Sequence, residues 1–585
     1  MSNDYRTSVS NVLVIGSGAA GLRAGIAAHE AGVEVNVIGK RTYRDAHTVL
    51  AAGGINAVLG TRDPDDSWQQ HFADTLIEGY LLADPRVVEI TVREAPAVID
   101  ELARWGCDLA RTEDGRIDQR YFGAHRYRRT CYAGDYTGRA ILTTLANRLD
   151  ACGIPVIDDQ YVTQLLVSEG VCFGAFAFDQ HSGERTAFLA DAVVLATGGH
   201  TRVWRRTSSR RDENNGDGMY LALRGGCRLA DLELVQFHPT GMVAPEEIAG
   251  TLVTEAVRGE GGHLLNAGGE RFMARYDPER MELSTRDRVA LANYTEIIEG
   301  RGGPNGGVFL DISHLGKEQI LEKLPRMYRQ FIEHQMLDIS TAPMEVAPTA
   351  HYSMGGVVVD PETHATDVES LFAAGEVTAG LHGANRLGGN SLTETLVFGR
   401  RAGAAAGAAS HARDAQPRSR RAIQQAADDL AGFLHPGTEI VRPLQRALRD
   451  EMWESCGVVR SAAGLARALR VVGELRELLP AVDVRPTAEG YGDLAHVLDL
   501  RASLLAAEAT VRGAIERRET RGAHNRSDFP KLDPALRVNF RTWLDSDGAG
   551  AMQISADPVP PVPPELEAWL DEGARDLEVR GRLVE

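Results

Sequence analysis

The chain opens its readable pattern with a short apolar run at Asn11–Ile15, then small residues at Gly16–Gly21, then a helical stretch at Leu22–Ala31. A second apolar run, Val33–Ile38, closes the unit. The first short apolar run predicts a buried strand and the second another strand, and strand–helix–strand predicts a doubly wound α/β domain. Two later runs read the same way. Asp191–Leu195 leads into Ala196-Thr197-Gly198-Gly199, and Ser370–Ala373 leads into Ala374-Gly375-Glu376. One α/β domain is therefore expected from two stretches, 1–232 and 351–415, with an α+β insert at 233–350.

After about residue 405 the pattern changes. From Arg418 to Arg518, Ala, Leu, Arg and Glu dominate, glycines thin out and apolar residues recur at helical spacing. This predicts a helical bundle over 416–530. The last stretch, 531–585, holds Pro558, Pro560, Pro561, Pro563 and Pro564, read as a stiff extended linker. A short amphipathic helix is expected after it, at Leu566–Leu577.

The formal net charge of −19 argues against nucleic acid as a partner, since phosphate binding needs a basic surface. None of the six cysteines forms a C-x-x-C pair. They read as reduced thiols, and no metal site is expected. An iron–sulfur cluster needs grouped thiolates, so any such cluster would belong to another subunit. No apolar run reaches the roughly 18 residues of a membrane span, and Met1–Ser10 lacks the features of a signal peptide. The chain is expected on the cytoplasmic side of the membrane, held there only through partners.

Gly16-Ser17-Gly18-Ala19-Ala20-Gly21 is a G-x-G-x-x-G between a strand and a helix. Its glycines suit a tight turn, the approach of a pyrophosphate, and close packing of helix on strand, with the helix N-terminus facing the phosphates. The motif alone does not separate FAD from NAD. The acid that usually binds a ribose at the end of the second strand is replaced by Gly39-Lys40, which disfavours a simple NAD enzyme.

Asp45-Ala46-His47-Thr48 followed by Ala52-Gly53-Gly54-Ile55-Asn56 resembles the flavin-attachment segment of succinate dehydrogenase and fumarate reductase flavoprotein subunits. Gly39-Lys40 also matches that family. The resemblance implies a Rossmann-like FAD-binding domain, an inserted α+β capping domain, a helical bundle and a short C-terminal region. It implies covalent FAD on His47, with Thr48, Gly53 and Gly54 beside it. Asp217 of Gly216-Asp217-Gly218 would be a further FAD contact, Glu376 would bind the adenosine ribose region, and Ser391 and Leu392 would lie along the isoalloxazine.

A four-carbon dicarboxylate needs cations or strong donors at both ends, and arginine's planar fork matches a carboxylate. Three segments resemble the family's substrate motifs: Gln236-Phe237-His238-Pro239-Thr240-Gly241, His351-Tyr352-Ser353-Met354-Gly355-Gly356, and His382-Gly383-Ala384-Asn385-Arg386-Leu387-Gly388-Gly389. By resemblance His238, His351 and Arg386 hold the carboxylates, Thr254 helps, and Phe122 presses the substrate against the flavin. Arg286 would carry the proton, through a relay with Glu255 and Arg258. An unassisted arginine is a poor base, so that role requires the relay.

The resemblance returns at Glu519-Thr520-Arg521-Gly522-Ala523-His524. It implies interconversion of succinate and fumarate, with electrons passing through an iron–sulfur subunit to a membrane anchor and quinone. The alternative is an L-aspartate oxidase type of enzyme, which shares the fold but binds FAD without a covalent bond. His47 and the apolar Phe122 favour the first reading.

Overall fold

The computed structural model describes residues 5–413, 418–545, 550–570 and 577. Its central sheet runs Val156–Ile157, Val35–Ile38, Arg6–Ile15, Arg185–Leu195, Val171–Asp179, Gln160–Ser168. The first four strands are mutually parallel and the last two turn back antiparallel. The long strand Arg185–Leu195 takes Val171–Asp179 along its first half, while Leu371–Ala373 pairs parallel with its last three residues. The chain thus returns to this sheet after the insert. The first strand starts at Arg6, five residues ahead of the apolar run, because Arg6–Ser10 pair with Thr186–Ala190. Val12 and Val14 face one buried cluster, Leu13 and Ile15 another. Both faces are covered there, which is why Val12–Ile15 read apolar at every position.

The helix Ala19–Glu30 begins inside the glycine motif. Gly16 has φ +113°, and a Cβ there would stand 2.1 Å from the Ala196 carbonyl oxygen. No other residue fits that turn. A second helix, Asn390–His411, lies along the first on Gly399, Gly403 and Gly407. A Cβ on Gly403 would be 2.1 Å from the Ala24 carbonyl oxygen and one on Gly399 2.7 Å from that of Ala20. This close contact brings both helix N-termini to one cleft.

The insert carries an antiparallel sheet in the order Val235–Met242, Met344–Ser353, Val308–Asp311, His263–Leu265. Its first two strands contain two bulges. Gln236 opposes Tyr352 and Phe237 opposes Ala350, which leaves His351 as the extra residue. His238 opposes Thr349 and Gly241 opposes Ala347, which puts one extra residue just after His238. Bulges re-aim side chains, and here each sits at a histidine of the site.

Four long helices, Arg420–Ala431, Val441–Ser455, Ala462–Leu478 and Gly492–Glu516, follow. They share a buried cluster with Phe173, Phe176 and Phe178 of the central sheet. The proline-rich tail is not the stiff extended linker expected. Met552–Pro558 pairs antiparallel with Val538–Leu544, and Val562, Leu566 and Leu570 are buried against the first helix's core. The prolines end the strand, and the apolar residues between them anchor the segment. Of the helix expected at Leu566–Leu577, the described residues show a turn at Pro564–Glu567 and a helical Leu577. Apart from Leu577, which is buried, the stretch beyond residue 570 lies outside the described residues. No described helix is long and apolar enough to cross a membrane.

Candidate active site

A cleft runs between the sheet's C-terminal edge and the insert. Gly16, Ser17, Gly18, Ala19 and Ala20 line one stretch of it; His47, Thr48, Gly53, Gly54, Asp217 and Glu376 line others. Ser391 and Leu392 close it from the second helix. Gly21 and Gly39 are not on its wall. Both have a structural part, since a Cβ on Gly21 would stand 1.8 Å from Gly16 O and one on Gly39 2.3 Å from Ser17 Oγ.

Several features suit a bound dinucleotide. Gly18 meets only Thr48 Oγ1, at 3.4 Å from a notional Cβ, so the backbone is open to a close ligand. Thr197 Oγ1 and Asp217 Oδ1, both on the wall, are buried without a hydrogen-bond partner among the described residues. Buried polar atoms of this kind call for a ligand or water. Thr48 Oγ1 accepts the Ala19 amide at 3.1 Å and so ties the His47 turn to the helix N-terminus.

Lys40 is less free than its motif suggests. Its ammonium donates to Asp217 at 2.8 Å and to Asp499 at 2.9 Å, and lies 4.8 Å from the Tyr161 ring. Burial opposes its charge, but the two carboxylates outweigh that and raise its pKa. Two acids share one cation, so burial pushes Asp499 up to about 6. A raised acid pKa means stability is full below the unfolded value and is lost as pH rises toward 6. Asp499→Asn should flatten the pH dependence of the unfolding midpoint between about pH 4 and 6; an unchanged slope would assign the dependence to other groups.

His47 Nδ1 lies 3.2 Å from Glu213 Oε2. Burial lowers its pKa, while Glu213 raises it and wins. A proton kept on Nδ1 by this carboxylate leaves the Nε2 lone pair free in the neutral ring. Glu376 lines the cleft near His47. It accepts the Ser353 amide at 3.0 Å and interacts with His47 and Arg386. The short strand Leu371–Ala373 sets this position by ending beside Leu195.

The predicted substrate groups converge on one stretch of the same wall: Phe122, His238, Thr254, His351 and Arg386, with Arg286 and Glu255. The His238 and His351 rings meet edge to face at 5.2 Å. His238 Nδ1 lies 3.1 Å from the Thr240 carbonyl oxygen and 3.2 Å from the Thr240 amide nitrogen, so the bulged backbone holds the ring in place. His351 Nδ1 pairs with Ser208 Oγ at 2.8 Å. Burial, then Arg286 and Arg258, hold His238 well below its usual pKa; burial, then Arg386 and His238, do so for His351. Both rings are held neutral, and the fixed cations are arginines.

Arg286 begins the helix Arg286–Glu296. Its Nε donates to Glu255 Oε2 at 2.8 Å and its Nη1 to Gln236 Oε1 at 3.0 Å, with the guanidinium 5.7 Å from the Phe122 ring. Glu255 Oε1 accepts the Gly123 amide at 3.0 Å. Burial pushes this carboxyl up, but Arg286, Arg258 and His238 hold it at about 2. Arg258 lies behind, off the cleft, with Nη2 3.7 Å from Glu255. Arg386 donates to Ser391 Oγ at 2.7 Å and to Gln236 Oε1 at 3.2 Å; burial, then Arg286, pull it down to about 9.

Gln236 has no role legible from its motif alone. In the fold its carbonyl oxygen accepts from both guanidiniums, and its amide donates to Asn385 Oδ1 and to the Arg386 carbonyl. It therefore sets the spacing of two like charges. Asp499 and Glu213 carry no sequence signal either. Only their tertiary partners, Lys40 and His47, mark them.

Two family models match: an FAD binding domain over residues 11–392 and a fumarate reductase flavoprotein C-terminal domain over 445–565. The site and fold thus define a flavin-dependent oxidoreductase. The chain belongs to the succinate dehydrogenase/fumarate reductase flavoprotein subunit family. It is 45% identical over 529 residues to a fumarate reductase (CoM/CoB) subunit of Methanothermobacter marburgensis, covering 90% of this chain and 95% of that one. With a fumarate reductase flavoprotein subunit of Mycobacterium tuberculosis it shares 38% over 578 residues, 94% and 97% of the two chains. The solved structure of Mycobacterium smegmatis Sdh1 in complex with UQ1 superposes with a TM-score of 0.89 at 39% identity, over 98% of each chain.

Proposed function

We propose that this chain interconverts succinate and fumarate on FAD bonded covalently to His47, and that a membrane anchor receives its electrons through an iron–sulfur subunit for delivery to quinone. The observation that supports this most is the ring of Arg286, Arg386, His238 and His351 on one wall, with Glu255 bonded to Arg286. Two guanidiniums and two imidazole donors suit a dianion with a carboxylate at each end. When bound, FAD accepts or supplies the hydride. The chain's own residues do the rest. Arg386 and His351 hold one carboxylate, His238 and Thr254 the other, and Phe122 confines the carbons. Arg286 moves a proton at the reacting carbon and recovers it through Glu255, whose low pKa keeps it an ionised acceptor. Arg258 helps keep Glu255 ionised.

The acceptor has a second reading. The Methanothermobacter relative is named for CoM/CoB, which favours CoM and CoB in place of quinone. Activity of the purified complex with a quinone analogue against that with CoM and CoB decides between them.

The attachment is tested by denaturing the native protein in acid and looking for flavin fluorescence on the polypeptide. It should stay with the wild type and vanish in His47→Ser. Succinate-dependent dye reduction should exceed aspartate-dependent reduction; the reverse would favour the oxidase. In Gly388→Ala the new Cβ would stand 2.4 Å from Phe122 and 3.1 Å from Arg286 Nη2. Displacing both should lower succinate turnover by about 10²-fold with flavin retained; wild-type turnover would remove Phe122 from the proposed site.

A further inference from the structure

We infer that Arg202, Arg211 and Arg449 form an oxyanion site for a phosphate group, outside the flavin cleft and separate from the dicarboxylate chemistry.

Two backbone hydrogen bonds bring the three arginines together. Arg202 sits in the short turn Thr201–Val203, and its amide donates to the Asn214 carbonyl at 3.0 Å. That bond lays the turn beside the loop at 210–215, which carries Arg211. Just past the turn, the Arg205 amide donates at 3.2 Å to the carbonyl of Arg449, on the helix Val441–Ser455. None of the three arginines lines the cleft.

The acids around them are already committed. Asp212 accepts from Arg41 at 2.6 Å and Asp450 from Arg205 at 3.4 Å. Asp499 accepts from Lys40 at 2.9 Å and from the Tyr161 hydroxyl at 3.0 Å. The neighbouring Arg210 and Arg446 have carboxylates of their own, Asp45 and Glu246. By contrast, Arg202, Arg211 and Arg449 make no ion pair and no side-chain hydrogen bond among the described residues, and Arg202 Nε is buried without a partner.

The electrostatics agree with this picture. Burial, then the charges of Arg449 and Arg211, pull Arg202 down to about 9. Burial, with Arg211 and Arg442, also lowers Arg449 against the pull of Asp499. Arg202 and Arg449 are half-buried, and a cation drawn out of water without a partner is costly. In a chain of net charge −19 the missing anion has to come from solution. Three guanidinium forks present more donors than the two oxygens of a carboxylate can accept, and they suit the tetrahedral oxygens of a phosphate.

The test uses the purified, flavin-loaded protein, in which the cofactor's own phosphates are already seated. Inorganic phosphate, titrated against chloride at matched ionic strength, should bind saturably by calorimetry and raise the thermal midpoint. Arg449→Gln and Arg211→Gln should each weaken that binding about tenfold or more, with flavin content as in wild type. Arg211 is exposed, so its replacement leaves packing alone and carries the test if Arg449→Gln does not fold. Arg205→Gln removes a neighbouring arginine that already has Asp450, and should leave binding unchanged. A nucleoside diphosphate that binds as inorganic phosphate does would assign the site to the free ion; tighter binding would assign it to the terminal phosphate of a nucleotide. Binding no better than that of chloride, full binding in the Arg449 and Arg211 variants, or an equal loss in Arg205→Gln would overturn the proposal.

Discussion

Replacing Arg286 by methionine should lower succinate turnover by about 10²–10⁴-fold, the range for loss of a positioned acid–base group, with flavin still bound. The residue holds Glu255 Oε2 and Gln236 Oε1 from two edges of one planar group. Arg286→Lys, a point charge on a flexible stem, cannot keep both contacts and should fall between wild type and methionine. A second readout follows from Glu255. Its depressed pKa gives stability that is present above the unfolded value and lost as pH falls toward about 2. Arg286 is the largest of the charges that lower it. The methionine variant should therefore lose stability near neutrality and show a flatter dependence between about pH 5 and 3, measured as the denaturant midpoint. Unchanged turnover in Arg286→Met would end the proposed proton role.

The largest effect on folding should come from Arg517→Met. Arg517 is fully buried and meets Glu233 at 2.8 Å, Asp231 at 3.1 Å and Glu519 at 3.3 Å. It also donates to the Val538 carbonyl at 3.1 Å and lies 4.8 Å from the Phe540 ring. One guanidinium thus joins the turn before the insert, the end of the helical domain and the tail sheet. Removing it leaves three buried carboxylates near one another, at a cost of about 3–5 kcal/mol or more. Burial, then Glu233, already push Asp231 up to about 7 against the pull of Arg517. A raised acid pKa gives stability at low pH that fades as pH climbs through that value. The variant should therefore unfold more readily at pH 8 than at pH 5, by a wider margin than wild type. Equal midpoints at the two pH values would show that these acids are paired some other way.

What could be read from the sequence was what local residues decide. The turn at Gly16 depends on one φ angle and one nearby carbonyl, so its motif carries it. The histidine and arginine motifs name residues that do converge on one wall. The geometry that makes them a site is not local. Gln236 acquires meaning only when Arg286 and Arg386 arrive from different segments. Lys40 and Asp499 are 459 residues apart. Glycines at 399, 403 and 407 form a visible period of four, but which helix they admit depends on Ala20 and Ala24. The tail misled for a related reason. Its prolines argued for a linker, while Val562, Leu566 and Leu570 bury against a core built at the other end of the chain.

The sheet that receives Leu371–Ala373, and the helix that lies on Ala20 and Ala24, impose an order on biosynthesis. The first helix leaves the ribosome with its small-residue face bare, and the partner helix is complete only at His411. At roughly 5–20 residues per second this interval is about 20–80 seconds, during which the glycine turn stands without its neighbour. A nascent chain stalled before residue 390 should therefore retain no flavin, and should offer chaperones an apolar surface that the finished protein hides.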